Sequence, residues 1–330
     1  MRKGNLKLGI VGTNFISDWL AEAAAKVPDV ELYAVYSRKQ ETGDGFACRH
    51  QIPNVYTDYE EFLQSDIEAV YIATPTYAHC PQAIEAMRHK KHVLCEKIMA
   101  VNEREAAAMF ECSRQNEVVL LEAMRPDFDP AFRLVEENLP RIGRLRRVTM
   151  EYCQYSSRYD KFRAGKILNA FNPELSNAAI MDIGVYCIHT LVRMLGMPQE
   201  IKAFSTKLEN GFEGNGIVMM QYGDVTAEAV YSKITESVNP SIFLGEEGSI
   251  LIGKISQPDT LEIVFRDGRR EAIPYTPAKN NMVYEVQEFV RLVKEKCIEH
   301  PYKKYSLDTL RVTDEARRQN GIEFQADSVL

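Results

Sequence analysis

The sequence predicts an α/β protein of two domains. The N-terminal domain, residues 1–123, is built on a parallel sheet. The C-terminal α+β domain, residues 124–330, is built on a large, mainly antiparallel sheet. Three observations predict this. The first domain alternates short apolar runs with amphipathic stretches about 10–15 residues long, the pattern of right-handed β-α-β units. Beyond residue 144, strand-like runs follow one another with little helix between them, as an antiparallel sheet requires. The 330-residue chain has room for two cores at ~150 residues per domain.

Residues 6–11 (LKLGIV) are an apolar run bounded by glycine and form the first strand. Phe15, Ile16, Trp19, Leu20, Ala23, Ala24 and Val27 recur at helical spacing, so 15–27 is an amphipathic helix that Pro28-Asp29 ends. Residues 31–36 are the second strand, and Thr57-Asp58 caps a short helix, YEEFLQ. Residues 69–73 are a buried strand stopped by Thr74-Pro75, and a helix follows through Ala83, Ile84 and Met87. A strand at 92–96, a helix over roughly 102–115 and a strand at 118–123 complete the domain, and the boundary falls at Ala123–Asp129. In the second domain 145–155, 200–207, 216–222, 225–233, 241–244, 249–252 and 260–265 are strands, several divided by turns such as Tyr222-Gly223-Asp224. Helices interrupt them near 178–195, 281–297 and 307–319.

Composition narrows the function. Hydrophobic residues at 45% and charged residues at 26% exclude a disordered chain and a small disulfide scaffold. The longest apolar runs, such as 118–121, fall far short of the ~20 residues of a membrane span. With 40 basic against 47 acidic residues, the net charge of −7 lacks the footprint of a nucleic-acid binder. Cys48, Cys80, Cys95, Cys112, Cys153, Cys187 and Cys297 are odd in number and show no C-x-x-C spacing, which fits reduced thiols and no cysteine metal site. The start, MRKGNLKLGIVG, has no apolar stretch of signal-peptide length. The expectation is a cytoplasmic protein that handles a small molecule, with neither membrane nor nucleic acid as partner.

The first strand runs straight into GIVGTNFIS and a helix, the context of a dinucleotide fingerprint G-x-G-x-x-G. The three positions read Gly12, Asn14 and Ser17, so only the first is glycine. Asn tolerates left-handed backbone better than most residues, and Ser is small enough for close helix–strand packing. Gly12, Thr13, Asn14, Phe15 and Ile16 are therefore candidates for a dinucleotide pyrophosphate at the positive end of the helix; a plain tight turn is the alternative. Enzymes using NAD place Asp or Glu after the second strand to hold the ribose hydroxyl. This chain has Ser37-Arg38-Lys39, a hydroxyl and two cations that suit a 2′-phosphate, unless they are a solvated turn. NADP(H) is favoured over NAD(H).

At this point the chain resembles a Rossmann-type oxidoreductase family, Gfo/Idh/MocA, named for glucose–fructose oxidoreductase and inositol dehydrogenase. The landmarks are GIVGTNFI, AVYSRK, YIATPTYAH at 71–79, KHVLCEK at 91–97, NPELSNAAIMDIGVYCIHTLVRMLG at 172–196 and the closing run YSLDTLRVTDEARRQNGIEF. They span nearly the whole chain in order. The stretches around NPEL and DIGVY look most like the dihydrodiol dehydrogenase branch.

The resemblance implies a dehydrogenase moving a hydride between a nicotinamide and a hydroxyl or carbonyl of a sugar, polyol or cyclic diol. It implies that Thr74, Pro75 and His79 line the nicotinamide side, that Glu96 lies near the nicotinamide ribose, and that Lys97 reaches cofactor and substrate. It matches Arg125 to a basic position after the last strand of the domain. It matches Asp182, Gly184 and Tyr186 to the D-x-G-x-Y segment, whose last residue gives or takes a proton. It also implies a homodimer or higher homo-oligomer paired through the C-terminal sheet. The sequence departs from the family at Asn14, at Ile98 in place of a proline after the lysine, and at Ser176-Asn177-Ala178-Ala179 in place of a glycine cluster. A peptide bond before Ile98 is expected to be trans.

The residues themselves support the chemistry. Alcohol oxidation moves a hydride to the nicotinamide and a proton to a base. Asp182, Tyr186 and His189 fall at i, i+4 and i+7, one face of a helix. A nearby lysine cation would lower the tyrosine pKa from ~10 towards neutrality. Lys97 ends a parallel strand, where such sheets place ligand groups. The assignment is Tyr186 as acid/base, Lys97 as polariser and substrate ligand, and Asp182 as a ligand of a substrate hydroxyl or an orienter. Asp182 as a simple helix cap is the alternative. His189 is the competing acid/base or else a structural histidine. Arg163 binds substrate or belongs to a solvated cationic loop with Arg158, Lys161 and Lys166. The alternative function is a dinucleotide-binding regulator or sensor without turnover.

Overall fold

The computed structural model describes residues 4–328, and the chain forms two compact units. The first unit holds residues 1–100, 104–128 and 279–303. Its six strands are β1 (Leu6–Val11), β2 (Val30–Tyr36), β3 (Asn54–Tyr56), β4 (Ala69–Ile72), β5 (His92–Glu96) and β6 (Leu120–Ala123). All pairings are parallel, in the order β3-β2-β1-β4-β5-β6. That is the doubly wound order with its switch point between β1 and β4. The helices are α1 (Phe15–Ala24), α2 (Gln40–His50), α3 (Tyr59–Gln64), α4 (His79–Arg88) and α5 (Glu103–Asn116).

Both faces of this sheet are covered, so its strands are apolar almost without interruption. Leu8, Ile10, Tyr71, Leu94 and Leu121 face a core completed by Leu20 of α1 and by Met282, Val286 and Phe289. Each such side chain contributes about 1.5–3 kcal/mol by leaving water.

The second unit holds residues 101–103, 129–278 and 304–330. It contains α6 (Pro130–Asn138), β7 (Leu145–Cys153), α7 (Tyr159–Arg163), α8 (Val185–Leu195), β8 (Glu200–Lys207), β9 (Glu213–Tyr222), β10 (Val225–Ser232), β11 (Ser241–Gly245), β12 (Gly248–Ile252), β13 (Leu261–Phe265) and β14 (Arg270–Ala272). The eight strands run β14-β13-β12-β11-β7-β10-β9-β8, antiparallel except for the β10–β7 pair. Register aligns Met220, Ala227, Val148, Phe243, Ile250 and Ile263 in one buried row across six strands. The same face packs against α8.

Two helices close the chain. α9 (Met282–Glu295) belongs to the first unit and α10 (Tyr302–Gln319) to the second. The compact units thus differ from one cut at 123/124, because α9 returns to pack on α1 and β6. Residues 101–103 join the second unit through Arg317. Its Nη2 donates to the Val101 carbonyl at 3.2 Å, while Asn102 donates to Asp327 at 3.0 Å.

The sequence reading missed α2, β3, α6, α7 and β14, and it began α10 five residues late. α2 carries Gly43 and Gly45 and has no clear apolar stripe, so propensity and periodicity both fail there.

Candidate active site

In the first unit the candidate residues follow the carboxyl ends of β1, β2, β4, β5 and β6. Because these strands are parallel, Gly12, Ser37, Thr74, Glu96 and Arg125 gather at one edge of one sheet. Gly12 has φ +103, and a Cβ there would lie 3.0 Å from the Ala73 carbonyl oxygen. Glycine is required by backbone conformation and by close approach to β4 alike.

Asn14 corrects the left-handed expectation. Its backbone is extended (φ −84, ψ 177), and it is the N-cap of α1. Its Oδ1 accepts from the Ile16 and Ser17 amides at 3.0 and 3.3 Å, while its Nδ2 donates to the Ala73 carbonyl at 2.7 Å. Such a cap is worth about 1 kcal/mol. Thr13 and Ile16 are half-buried, Phe15 is exposed, and Ser17 is wholly buried with an unpartnered Oγ.

After β2, the Ser37 hydroxyl is 2.6 Å from Thr42 Oγ1 and accepts from the Lys39 amide. This bonding turns the chain into α2. Arg38 and Lys39 are exposed at the N-terminus of that helix, and the helix end and both cations favour an anion.

After β4, Thr74 Oγ1 donates to Gln82 at 2.7 Å, and Pro75 begins a short turn. His79 is buried between two carbonyls, Thr74 at 2.8 Å and Ile98 at 3.0 Å. Burial, the largest effect, depresses its pKa to about 4. The ring is therefore neutral and donates to one carbonyl only. His79 ties the β4 turn to the segment after β5.

Glu96 is buried; one carboxyl oxygen accepts from the Tyr71 hydroxyl at 2.6 Å, the other from the Lys97 amide at 3.1 Å. The Lys97–Ile98 peptide bond is cis, which corrects the trans expectation. Ile98 is buried, and the Met99 amide donates to Glu122 at 3.0 Å, so the chain is held on both sides of Lys97. Burial raises the pKa of Glu96, and Lys97, the Tyr71 hydroxyl and Arg125, half-buried in the turn after β6, oppose that rise.

In the second unit residues 180–184 form a single π turn that leads into α8, where one continuous α-helix was expected. Gly184 sits against β10: a Cβ there would lie 2.8 Å from the Tyr231 ring. Ser176 occupies left-handed backbone (φ 55, ψ 46), which explains why glycine is the usual choice nearby.

Asp182 is paired with Lys233, Nζ to Oδ2 at 2.7 Å. The lysine is buried, donates to the Ala170 carbonyl at 2.8 Å and lies over the rings of Phe171 and Phe212. Tyr186 is 3% exposed and packs its ring on Tyr152. His189 is wholly buried, with Nδ1 3.0 Å from Thr309 Oγ1 and its ring edge-on to Tyr305 of α10. The Arg163 side chain is 66% exposed on α7 and pairs with Asp160. Asp182 and Tyr186 therefore share the start of one helix, while His189 serves the α8–α10 packing and Arg163 lies on the surface.

Lys233 and Glu213 escaped the sequence reading. Lys233, the residue after β10, continues the phase of Ala227, Ala229 and Tyr231 on the buried face of that strand; that alternation was the available signal. Glu213 accepts from the Ile180 amide at 2.7 Å and from the Tyr231 hydroxyl at 2.9 Å, fixing the entry to the π turn. Burial raises its pKa from 4.5 to about 7.

A carboxyl with a raised folded pKa stabilises the fold at low pH and loses that contribution as pH rises to its folded pKa. Relative to Glu213→Gln, the wild type should therefore lose about 3 kcal/mol between pH 4.5 and about 7. Unfolding midpoints of both proteins across that range test this, and parallel curves would refute it.

Comparison with known proteins bears on both units. Residues 6–124 match the oxidoreductase family with an NAD-binding Rossmann fold, and residues 133–251 match the GFO/IDH/MocA C-terminal domain. The chain is 45% identical over 325 residues to the scyllo-inositol 2-dehydrogenase (NADP(+)) IolU of Bacillus subtilis, covering 98% of this chain and 99% of that one. It is 28% identical to the trans-1,2-dihydrobenzene-1,2-diol dehydrogenase of Mus musculus, over 98% of this chain and 99% of that one. Among solved structures, KijD10, a 3-ketoreductase from Actinomadura kijaniata in complex with NADP and TDP-benzene, shares the fold. Its TM-score is 0.86 at 22% identity, covering 96% of this chain and 98% of that one. With both domains matched in order, the chain belongs to the Gfo/Idh/MocA family of oxidoreductases.

Proposed function

We propose that this protein is an NADP(H)-preferring dehydrogenase that oxidises a CH–OH group of a polyol, sugar or cyclic diol. One observation carries the cofactor choice. The turn after β2 offers Arg38 and Lys39 at the N-terminus of α2, where an NAD enzyme would place a carboxylate. The Gly12 cradle beside Ala73 fits close backbone approach to a pyrophosphate. The cofactor, when bound, supplies or accepts the hydride. Lys97 polarises the substrate oxygen, Tyr186 exchanges the proton, and Asp182, oriented by Lys233, accepts from a substrate hydroxyl. The similarity to a scyllo-inositol dehydrogenase supports a cyclic polyol as substrate.

Titration of NADPH and NADH by nicotinamide fluorescence tests the reading. NADPH should bind more tightly, and Arg38→Ala should weaken NADPH by ~10–100-fold, the worth of a lost charge-assisted bond, with little change for NADH. Equal affinities, unmoved by the substitution, would refute the 2′-phosphate assignment.

The reading includes a homo-oligomer paired through the C-terminal sheet. Phe204 and Met219 are 67% and 41% exposed on β8 and β9, and Ile217 of β9 and Val230 of β10 are half-buried. Sedimentation as a single chain would remove it. A cytoplasmic location is supported by the seven cysteines, all free, and fractionation of cells tests it. Among the described residues no helix is long and apolar enough to cross a membrane.

A further inference from the structure

Glu285, in the first turn of α9, is wholly buried, and neither of its carboxyl oxygens has a hydrogen-bond partner. It lies on the helix that packs Met282, Val286 and Phe289 against Tyr71, Leu94 and Ala123. The like charge bearing on it is Glu96, at the carboxyl end of β5. The two carboxyls are unequally provided for. Glu96 receives the Tyr71 hydroxyl and the Lys97 amide and has the Lys97 cation beside it. Glu285 receives no donor and shares only the charge of Arg125 with Glu96. A buried carboxylate without a donor is strongly disfavoured, so of the two carboxyls Glu285 is the one that holds the proton; burial raises the pKa of Glu96 too, but there the Lys97 cation, the Tyr71 hydroxyl and Arg125 oppose it.

We propose that Glu285 is a positioning residue for the dehydrogenase reaction: its carboxyl and that of Glu96 form a pair that keeps one proton beside the reduced cofactor and releases it to solvent when the oxidised, positively charged nicotinamide is bound. This rests on the nucleotide reading above. In a doubly wound sheet the dinucleotide spans both halves, and β4, β5 and β6 take the half opposite the Gly12 turn. Glu96 ends the middle strand of that half. A cation there favours the ionised pair, and the neutral dihydronicotinamide does not. The step is a simple ionisation: one O–H bond of the pair breaks, the proton goes to water, and both carboxylates remain.

The other groups facing the pair do not compete. Burial pushes the Tyr71 phenol from β4 and the Cys95 thiol from β5 well up, so both stay protonated. Lys97 and Arg125 contribute fixed positive charge. Burial, and after it the charge of Glu96, raises the pKa of Glu285, in agreement with its lack of donors.

The measurement is calorimetric titration of NADP+ and of NADPH into the intact protein near neutral pH, each in two buffers of different ionisation enthalpy. NADP+ should release on the order of one proton per site and NADPH close to none. The 2′-phosphate is common to both cofactors and cancels in the difference. By linkage the affinity for NADP+ should rise with pH while that for NADPH stays flat. Glu285→Gln removes the ionisable group and should abolish the difference, with NADPH affinity kept within about threefold. Glu285→Met provides the same test in an apolar side chain suited to the surroundings. Equal proton counts for the two cofactors in the wild type, or release that persists in both variants, would overturn the inference. Failure of both cofactors to bind would overturn the nucleotide reading itself, and this inference with it.

Discussion

Exchange of Lys97 for methionine is expected to lower kcat by ~10²–10³-fold, the usual cost of removing one preorganised charge from a reacting oxygen. The dissociation constant for NADPH should stay within about threefold, because phosphate recognition lies at Gly12 and Arg38. The expectation follows from how the lysine is presented. Its own amide is bonded to Glu96, the next residue is buried, and the Ile98 carbonyl is gripped by His79. Three neighbours thus restrict the backbone that carries the ammonium, which is the condition for a charge to stabilise a transition state without reorganising. Lys97→Arg should recover only part of the loss, since a planar fork cannot replace a point charge at the same reach. Steady-state turnover of a cyclic polyol with saturating NADP+ is the measurement. A kcat within about fivefold of wild type would return Lys97 to an ordinary surface cation. Tight cofactor binding with no turnover by the wild type would favour a regulator.

The frame of the fold was legible because its strands are buried on both faces. LKLGIV, AVYI and HVLCE are too apolar for anything else, and each is bounded by Gly, Pro or a charge. What failed to show was local structure decided by tertiary contacts. α2 has weak propensity, and its N-terminus is set by the Ser37–Thr42 hydroxyl contact. α9 reads as an ordinary helix of the second half; only three-dimensional packing returns it to α1.

The site divides the same way. Gly12 and Lys97 announce themselves by place: one after the first strand, one at the end of another. Gly184 is explained only by Tyr231, 47 positions later, and Asp182 by Lys233, which no spacing rule pairs with it. Glu285 gave no signal either, since one glutamate on an amphipathic helix looks solvated until the helix is seen to lie over a sheet. The i, i+4, i+7 pattern puts Asp182, Tyr186 and His189 on one helical face; the structure puts Asp182 in the π turn, Tyr186 against Tyr152 and His189 beside Thr309. The helical face continues geometrically, yet the histidine is already bonded to α10.

That difference makes Tyr186 and His189 separable by experiment. Tyr186→Phe deletes a single oxygen and keeps the ring against Tyr152, so the fold should hold while kcat falls by ~10²–10⁴-fold, the range for losing a positioned acid/base. His189→Asn should do the opposite. It breaks a buried contact to Thr309 and should cost about 1–3 kcal/mol of stability, with kcat changed only slightly. The two variants also differ in pH behaviour. Loss of the group that takes the proton flattens the alkaline or acid limb of the kcat/KM profile that it controls, whereas loss of a packing histidine leaves the profile in place and lowers the unfolding midpoint. If Tyr186→Phe keeps its turnover and His189→Asn loses it without unfolding, the proton passes through the histidine, and α8 must deliver it from the side that faces Thr309. The contact of that ring with Thr309 and its edge-on packing against Tyr305 commit it to the α8–α10 interface, which argues for the tyrosine.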